Sequence, residues 1–200
     1  RMAFTAETVK DLRTMTGAGI LDCKKALEAS DGDMNKAVEY LQKRNQATAV
    51  KKMNREAKEG KVATYVHGEG RIGVMVEISS ETDFVARSTT FDEFVREVCL
   101  QIAAMSPKWV KPEDVPADIL AHQREIFDAQ VVDQKKPPEI LAKITEGKLK
   151  KWYNDVCLLE QTYIRDDKKI FRDVLTEVVG RTGENISVRR FARYEMGEGI

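Results

Sequence analysis

Few residues in this 200-residue chain stand in patterns that chemistry requires. Gly68, Gly70 and Gly73 spell G-x-G-x-x-G, the spacing of a dinucleotide-binding turn. Such a turn needs a strand before it and a helix after it, so that phosphate meets the helix N-terminus. Here Gly73 runs directly into Val74-Met75-Val76-Glu77-Ile78, a strand pattern, and the glycines read as a hairpin turn. Gly17-Ala18-Gly19 lacks the spacing and the Lys-Ser/Thr ending of a phosphate-cradling loop. His67 and His122 stand far apart without a ligand or triad context, and no Ser or Cys lies in a nucleophile motif. The three cysteines, Cys23, Cys99 and Cys157, are isolated and odd in number, as expected of buried thiols in a reducing compartment. Asp166-Asp167 reads as the cap of a following helix. Trp109, Trp152, Tyr153 and Phe171 lie near basic residues, a composition that nucleic-acid stacking uses. They occupy helical or loop-edge positions, however, and Lys148, Lys150 and Lys151 fit a solvated helix face. No cofactor, no metal, no nucleic acid and no intrinsic catalysis is therefore expected.

What remains is a stretch suited to contact rather than reaction: Glu81-Thr82-Asp83-Phe84-Val85-Ala86-Arg87. Before it, Arg71 to Ile78 alternates as a half-buried strand. After it, Thr90 and Glu93 have capping-box spacing and open a helical pattern at Phe91, Phe94, Val95, Val98, Ile102 and Met105. Asp83 and Phe84 thus fall at a strand-to-helix corner aimed by regular elements on both sides. Spacing leaves two readings open there. Either Phe84 packs into the chain's own core with Asp83 capping a turn, or both side chains are offered outward.

The elements that position this corner are legible in outline. Residues 5 to 44 carry three short helical patterns: Val9, Leu12 and Met15; Ile20, Cys23, Ala26 and Leu27; Met34, Ala37, Val38 and Leu41, with Asp33 as N-cap. Residues 45 to 60 lose apolar periodicity and read as a mildly basic linker. Lys61 to His67 and Arg71 to Ser79 form the hairpin, after which Pro107, Pro112 and Pro116 punctuate a loop. Ile119, Leu120, Ile126, Phe127 and Val131 mark a long helix that Pro137-Pro138 separates from another carrying Ile140, Leu141, Ile144, Leu149 and Trp152. That pair is an antiparallel helical hairpin over about 116–156. Val174, Leu175, Val178 and Val179 mark a further helix stopped near Gly180 and Gly183, and Asn185 to Glu195 alternates as a last strand. The expected fold is α+β: a helical module over 1–44, a linker over 45–60, and over 61–200 a small antiparallel sheet packed with helices.

Bulk composition bounds the partners. Lys+Arg and Asp+Glu balance at 33 each, so no net field recruits nucleic acid or an anionic membrane. No apolar run reaches membrane-span length and no signal-peptide pattern opens the chain. Arg1 before Met2 reads as an addition ahead of an initiator methionine.

Two long motifs, in order, carry a resemblance. Thr82-Asp83-Phe84-Val85-Ala86 and Thr16-Gly17-Ala18-Gly19-Ile20-Leu21-Asp22-Cys23-Lys24-Lys25-Ala26-Leu27 are similar to the two signatures of the elongation factor Ts family. The resemblance extends to the Lys111–Val115 loop, the Glu146–Lys151 helix and the Ile186–Glu195 strand. It implies a ubiquitin-associated (UBA-like) shape for the N-terminal module and guanine-nucleotide exchange on the cytoplasmic GTPase elongation factor Tu. It also implies that Thr82, Asp83, Phe84, Val85 and Ala86 form the contact, with Phe84 as apolar anchor and Asp83 disturbing the magnesium side. Ile20 is expected to touch the GTPase, and Lys51, or Lys52 in the alternative register, to assist. Gln101 stands where relatives often carry a partner-contacting histidine. Longer relatives hold two related half-cores in one chain, whereas this chain holds one, so a homodimer and a 2:2 complex with the GTPase are expected. The competing readings are a helical protein-binding adaptor without exchange activity and a small dinucleotide-binding enzyme built on Gly68–Gly73.

Overall fold

The structure, a computed structural model, describes residues 4–52, 55–134 and 136–199. It is an α+β fold with helices at the N-terminus and a small antiparallel sheet. Taken over those residues, the chain divides into two compact units. One comprises Arg1–Lys61, Ser79–Phe94 and Leu175–Ser187; the other comprises Val62–Ile78, Val95–Val174 and Val188–Ile200.

The first unit opens with α1 (Ala6–Thr16), α2 (Ile20–Ala29) and α3 (Met34–Lys52). Thr5 caps α1, its Oγ1 accepting the Thr8 N–H at 3.3 Å, and Gly17 closes it at φ +65, a conformation that disfavours any side chain. Asp33 caps α3 as expected, Oδ1 accepting the Lys36 N–H at 3.0 Å. The three helices bury Leu12, Cys23, Ala26, Leu27, Ala37 and Leu41 together, with Phe4, Val9, Met34 and Val38 at the margin. The third helix does not stop where its apolar pattern does. It continues through Asn45, Thr48 and Ala49, which are half-buried at helical spacing. Small and polar residues carry that period, so a search for apolar repeats misreads the first part of the 45–60 stretch as linker.

In the same unit, α4 (Asp83–Ala86) forms a single turn after the strand ending at Ser80, and α5 (Thr89–Met105) begins. Ser88, not Thr90, holds the start of α5: its Oγ accepts the Phe91 N–H at 3.2 Å and donates to the Val85 carbonyl at 2.7 Å. The capping position lies two residues earlier because α4 and α5 are joined by one tight turn.

Most of each strand of the sheet, β1 (Glu59–His67), β2 (Ile72–Ser80) and β5 (Ser187–Glu195), lies in the second unit, in the order β1-β2-β5. The turn from β1 to β2 has Gly68 at φ +58, Glu69 at φ +55 and Gly70 at φ +90, and Gly73 lies inside β2. A strand, not a helix, follows these glycines, so they form no phosphate cradle. Along β2, Val74, Val76 and Ile78 are buried while Met75 is 53 % exposed. Arg193 on β5 reaches α5, its Nη2 donating to the Ala103 carbonyl at 3.3 Å.

The helical hairpin is present as α6 (Ala117–Val131) and α7 (Pro138–Val156). Thr145 donates to Asp128 Oδ1 at 2.6 Å and Arg124 pairs with Glu146 at 2.6 Å across it. Beyond α7 lies a second small hairpin that the sequence does not announce: β3 (Thr162–Tyr163) pairs antiparallel with β4 (Asp166–Ile170). Asp166 therefore sits in a strand and caps no helix; Asp173 Oδ2 accepts the Ile170 N–H ahead of α8 (Phe171–Thr182) instead. So short and charged a strand as Asp166-Asp167-Lys168-Lys169-Ile170 has no apolar alternation to betray it. Helix α8 runs past Gly180 and ends at Gly183, φ +70.

Candidate functional site

Ser79 to Thr82 leave the sheet and enter α4 through a dense set of polar contacts. Thr82 is extended at φ −127 and caps α4, its Oγ1 accepting the Val85 N–H at 3.4 Å. The Ser80 hydroxyl donates to the Thr82 carbonyl at 2.9 Å. Two glutamates then cross between this corner and the turn after α8. Glu184 receives Thr82 twice, the N–H on Oε2 at 3.0 Å and the hydroxyl on Oε1 at 2.7 Å. Glu81 Oε1 receives the Asn185 N–H at 2.6 Å, and Arg55 lies 3.4 Å from Oε2. Asn185 Nδ2 donates to the Arg55 carbonyl at 2.7 Å. The Asn185 N–H, with the Arg55 guanidinium behind it, holds the Glu81 carboxyl below the usual carboxylate range despite its partial burial.

On this fixed backbone the two central side chains stand outward. Phe84 is 84 % exposed, an unusual setting for an aromatic ring, and the reading that tucks it into the core is excluded for this chain. Asp83 pairs with Arg87, 3.2 Å away and itself largely exposed. Val85 is half-buried, and Ala86 is buried at 5 % exposure, anchoring the turn from beneath.

The remaining candidates are dispersed. Ile20 is 58 % exposed at the start of α2 and borders a groove of about 430 Å³ with Phe4, Val9, Lys10, Arg13 and Lys24. Lys51 is exposed near the end of α3. Gln101 does not belong with these. It lies in the other unit, fully buried, with Nε2 donating to the Thr162 carbonyl at 3.0 Å and Oε1 accepting the Ile164 N–H at 3.0 Å. Its amide is consumed in fixing the β3–β4 hairpin and offers nothing to a partner surface.

Residues that sequence reading missed cluster at the end of α8. Glu184 grips Thr82. Arg181 lies against Gly17, where a Cβ would come within 2.8 Å of its guanidinium carbon. Gly180 lies against the Asn45 side chain, leaving no room for a Cβ. No local pattern marks these positions, because each meets a segment far away in sequence.

Tyr65 and His67 form a side-chain pair at 2.8 Å. All three cysteines are buried, and burial pushes the Cys99 thiol up to about 11 and the Cys157 thiol up to about 12, away from reactive thiolate character. Among the described residues, no cluster of His, Cys, Asp or Glu is placed to hold a metal, and no helix is long and apolar enough to cross a membrane.

Comparison with known proteins agrees with these motifs. The family model described as elongation factor TS matches residues 6–198. The elongation factor Ts of Thermotoga maritima is 54 % identical over 198 residues, covering 99 % of this chain and 98 % of that protein. Those of Anaeromyxobacter sp. (strain K) and Caldanaerobacter subterraneus are 53 % and 50 % identical over 197 residues, covering 98 % of this chain and 90 % and 98 % of the relatives.

Proposed function

We propose that this chain, which belongs to the elongation factor Ts family, is a guanine-nucleotide exchange factor that speeds GDP release from elongation factor Tu in the cytoplasm. One observation carries the reading: a ring 84 % exposed on a backbone held by the Glu184 and Glu81 contacts. An apolar group kept in water on a rigid mount is what an interface anchor requires. Thr82, Asp83, Phe84, Val85 and Ala86 form the contact, Phe84 entering an apolar pocket of the GTPase. Asp83 brings negative charge toward the site that holds phosphate and Mg²⁺, and so opposes nucleotide by repulsion. Its pairing with Arg87 is an exposed contact of small worth, easily exchanged for a partner's groups. Ile20 and Lys51 supply accessory contacts from the helical module. The factor performs no bond chemistry of its own.

The acting species is a homodimer, giving a 2:2 complex with the GTPase. Val62, Val66 and Met75 on the β1–β2 hairpin and Tyr194 on β5 are between 53 % and 76 % exposed, more apolar surface than a small sheet leaves in water without cover. A second copy covers it by symmetry. Stopped-flow release of a fluorescent GDP analogue from elongation factor Tu tests the exchange reading. Release that stays at its spontaneous rate with this protein in excess refutes it. Light scattering tests the dimer independently: a mass near one 22.7 kDa chain at micromolar concentration refutes it.

A further inference from the structure

We infer that Glu184 is a positioning residue for exchange, holding the Thr82–Phe84 corner in the orientation that lets its aromatic anchor dock; this rests on the exchange reading above. Phe84 makes its way into water with little side-chain packing to aim it, so its direction is set by the backbone of α4. A four-residue helix cannot hold itself, since forming one turn fixes more dihedrals than its hydrogen bonds repay. Its first residue, Thr82, is gripped at two atoms by one carboxylate, at 3.0 and 2.7 Å. Two hydrogen bonds to one half-buried carboxylate fix both position and rotation of the peptide. The crossed contact from the Asn185 N–H to Glu81, at 2.6 Å, prevents the two segments from sliding past each other.

The same stretch of chain also borders the segment that carries the other candidate contact. Arg181 lies against Gly17, next to the corner from which Ile20 projects, and Gly180 lies against Asn45 on α3. Residues 180–185 thus lie against the segments that carry Ile20 and Phe84. They act through the residues they hold.

The test compares release of a fluorescent GDP analogue from elongation factor Tu for the full chain and for Glu184→Ala, Glu184→Gln, Glu184→Asp and Phe84→Ala, alone and combined. Glu184→Ala is expected to lower the second-order rate constant for exchange about tenfold or more, the loss that two charge-assisted bonds can carry. Glu184→Gln is expected to restore most of it: its carbonyl can accept the Thr82 N–H while its amide donates to the Thr82 hydroxyl. Combining Glu184→Ala with Phe84→Ala is expected to cost little more than Phe84→Ala alone, because a misaimed anchor and a missing one lose the same contact. If Glu184→Ala proves unfolded by circular dichroism, Glu184→Asp takes its place, keeping the charge on a side chain too short to grip both atoms. A wild-type rate in the folded Ala or Asp variant overturns the inference. So do additive losses in the double variant, which would place Glu184 in some separate role. A wild-type chain that fails to accelerate release overturns the exchange reading itself, and the positioning role with it.

Discussion

Replacing Phe84 with alanine separates an interface anchor from a core residue in one experiment. With 84 % of its surface in water, Phe84 gives its own fold little. An aromatic side chain exposes roughly 200 Å². At about 25 cal/mol per Å², the covered remainder contributes under about 1 kcal/mol to stability. That shifts the thermal midpoint of a chain this size by only a few degrees, about 2–4 °C at most. A partner that covers the rest gains about 4 kcal/mol from the same coefficient, reduced toward about 2–4 kcal/mol once ordering and desolvation costs enter. The expected loss in the second-order rate constant for GDP release is therefore about 30- to 1,000-fold. Stopped-flow release from elongation factor Tu, over a range of factor concentrations, gives that constant. Circular dichroism melting gives the stability. A midpoint lowered as for a buried Phe, whose loss costs about 3–5 kcal/mol, with exchange per folded molecule unchanged, would refute the assignment of Phe84 as anchor.

Gln101→Ala should do the reverse, lowering stability by about 2–4 kcal/mol through a cavity and two orphaned backbone partners while leaving exchange per folded molecule intact; a variant as stable as wild type but slow in exchange would contradict this. Gly180→Ala should destabilise by about 1–3 kcal/mol by forcing its Cβ into Asn45, and Asn45→Ala in the same chain should recover most of the loss in urea melts; failure of the second change to recover it would show that the clash is relieved elsewhere. The Glu81 carboxyl titrates below the usual range in the folded chain. Its contribution is therefore complete above the unfolded carboxylate pKa of about 4.3 and is lost as pH falls through the lower folded value. Glu81→Gln should flatten that acid limb of the stability curve, and curves that stay parallel to wild type from neutral to acid pH would refute the linkage.

The elements that spoke in the sequence are those whose signal is local. Asp33 before Met34, Gly68-Glu69-Gly70 between two alternating runs, and Pro137-Pro138 between two apolar helical patterns each specify a boundary within a few residues. The second half of α3 was hidden because its half-buried face is built from Asn45, Thr48 and Ala49, and β3–β4 because its strands are too short for a period. At the corner, the sequence could mark Thr82 as a cap and Phe84 as notable but could not say which way the ring faces. That depends on Glu184, which is 102 residues away and reaches Thr82 only in the folded chain. Gln101 shows the converse: its place on the helix was legible, and its burial was decided by Thr162 and Ile164, 61 and 63 residues further along the chain.

Mounting the anchor rigidly also bears on how exchange would run. A phenylalanine has two rotatable side-chain bonds, so with the peptide already fixed at Thr82 little freedom is left to lose on docking. The binding free energy then remains available to oppose the nucleotide rather than being spent on ordering the corner. That opposition must be mutual: if the corner weakens GDP binding by some factor, GDP or GTP weakens the corner's hold by the same factor. A looser corner would bind less tightly, so at a given concentration it would displace less nucleotide. Rigidity at Thr82 and exposure at Phe84 are thus two halves of one requirement, and a chain that kept the ring but lost the Glu184 grip would dock weakly and exchange slowly.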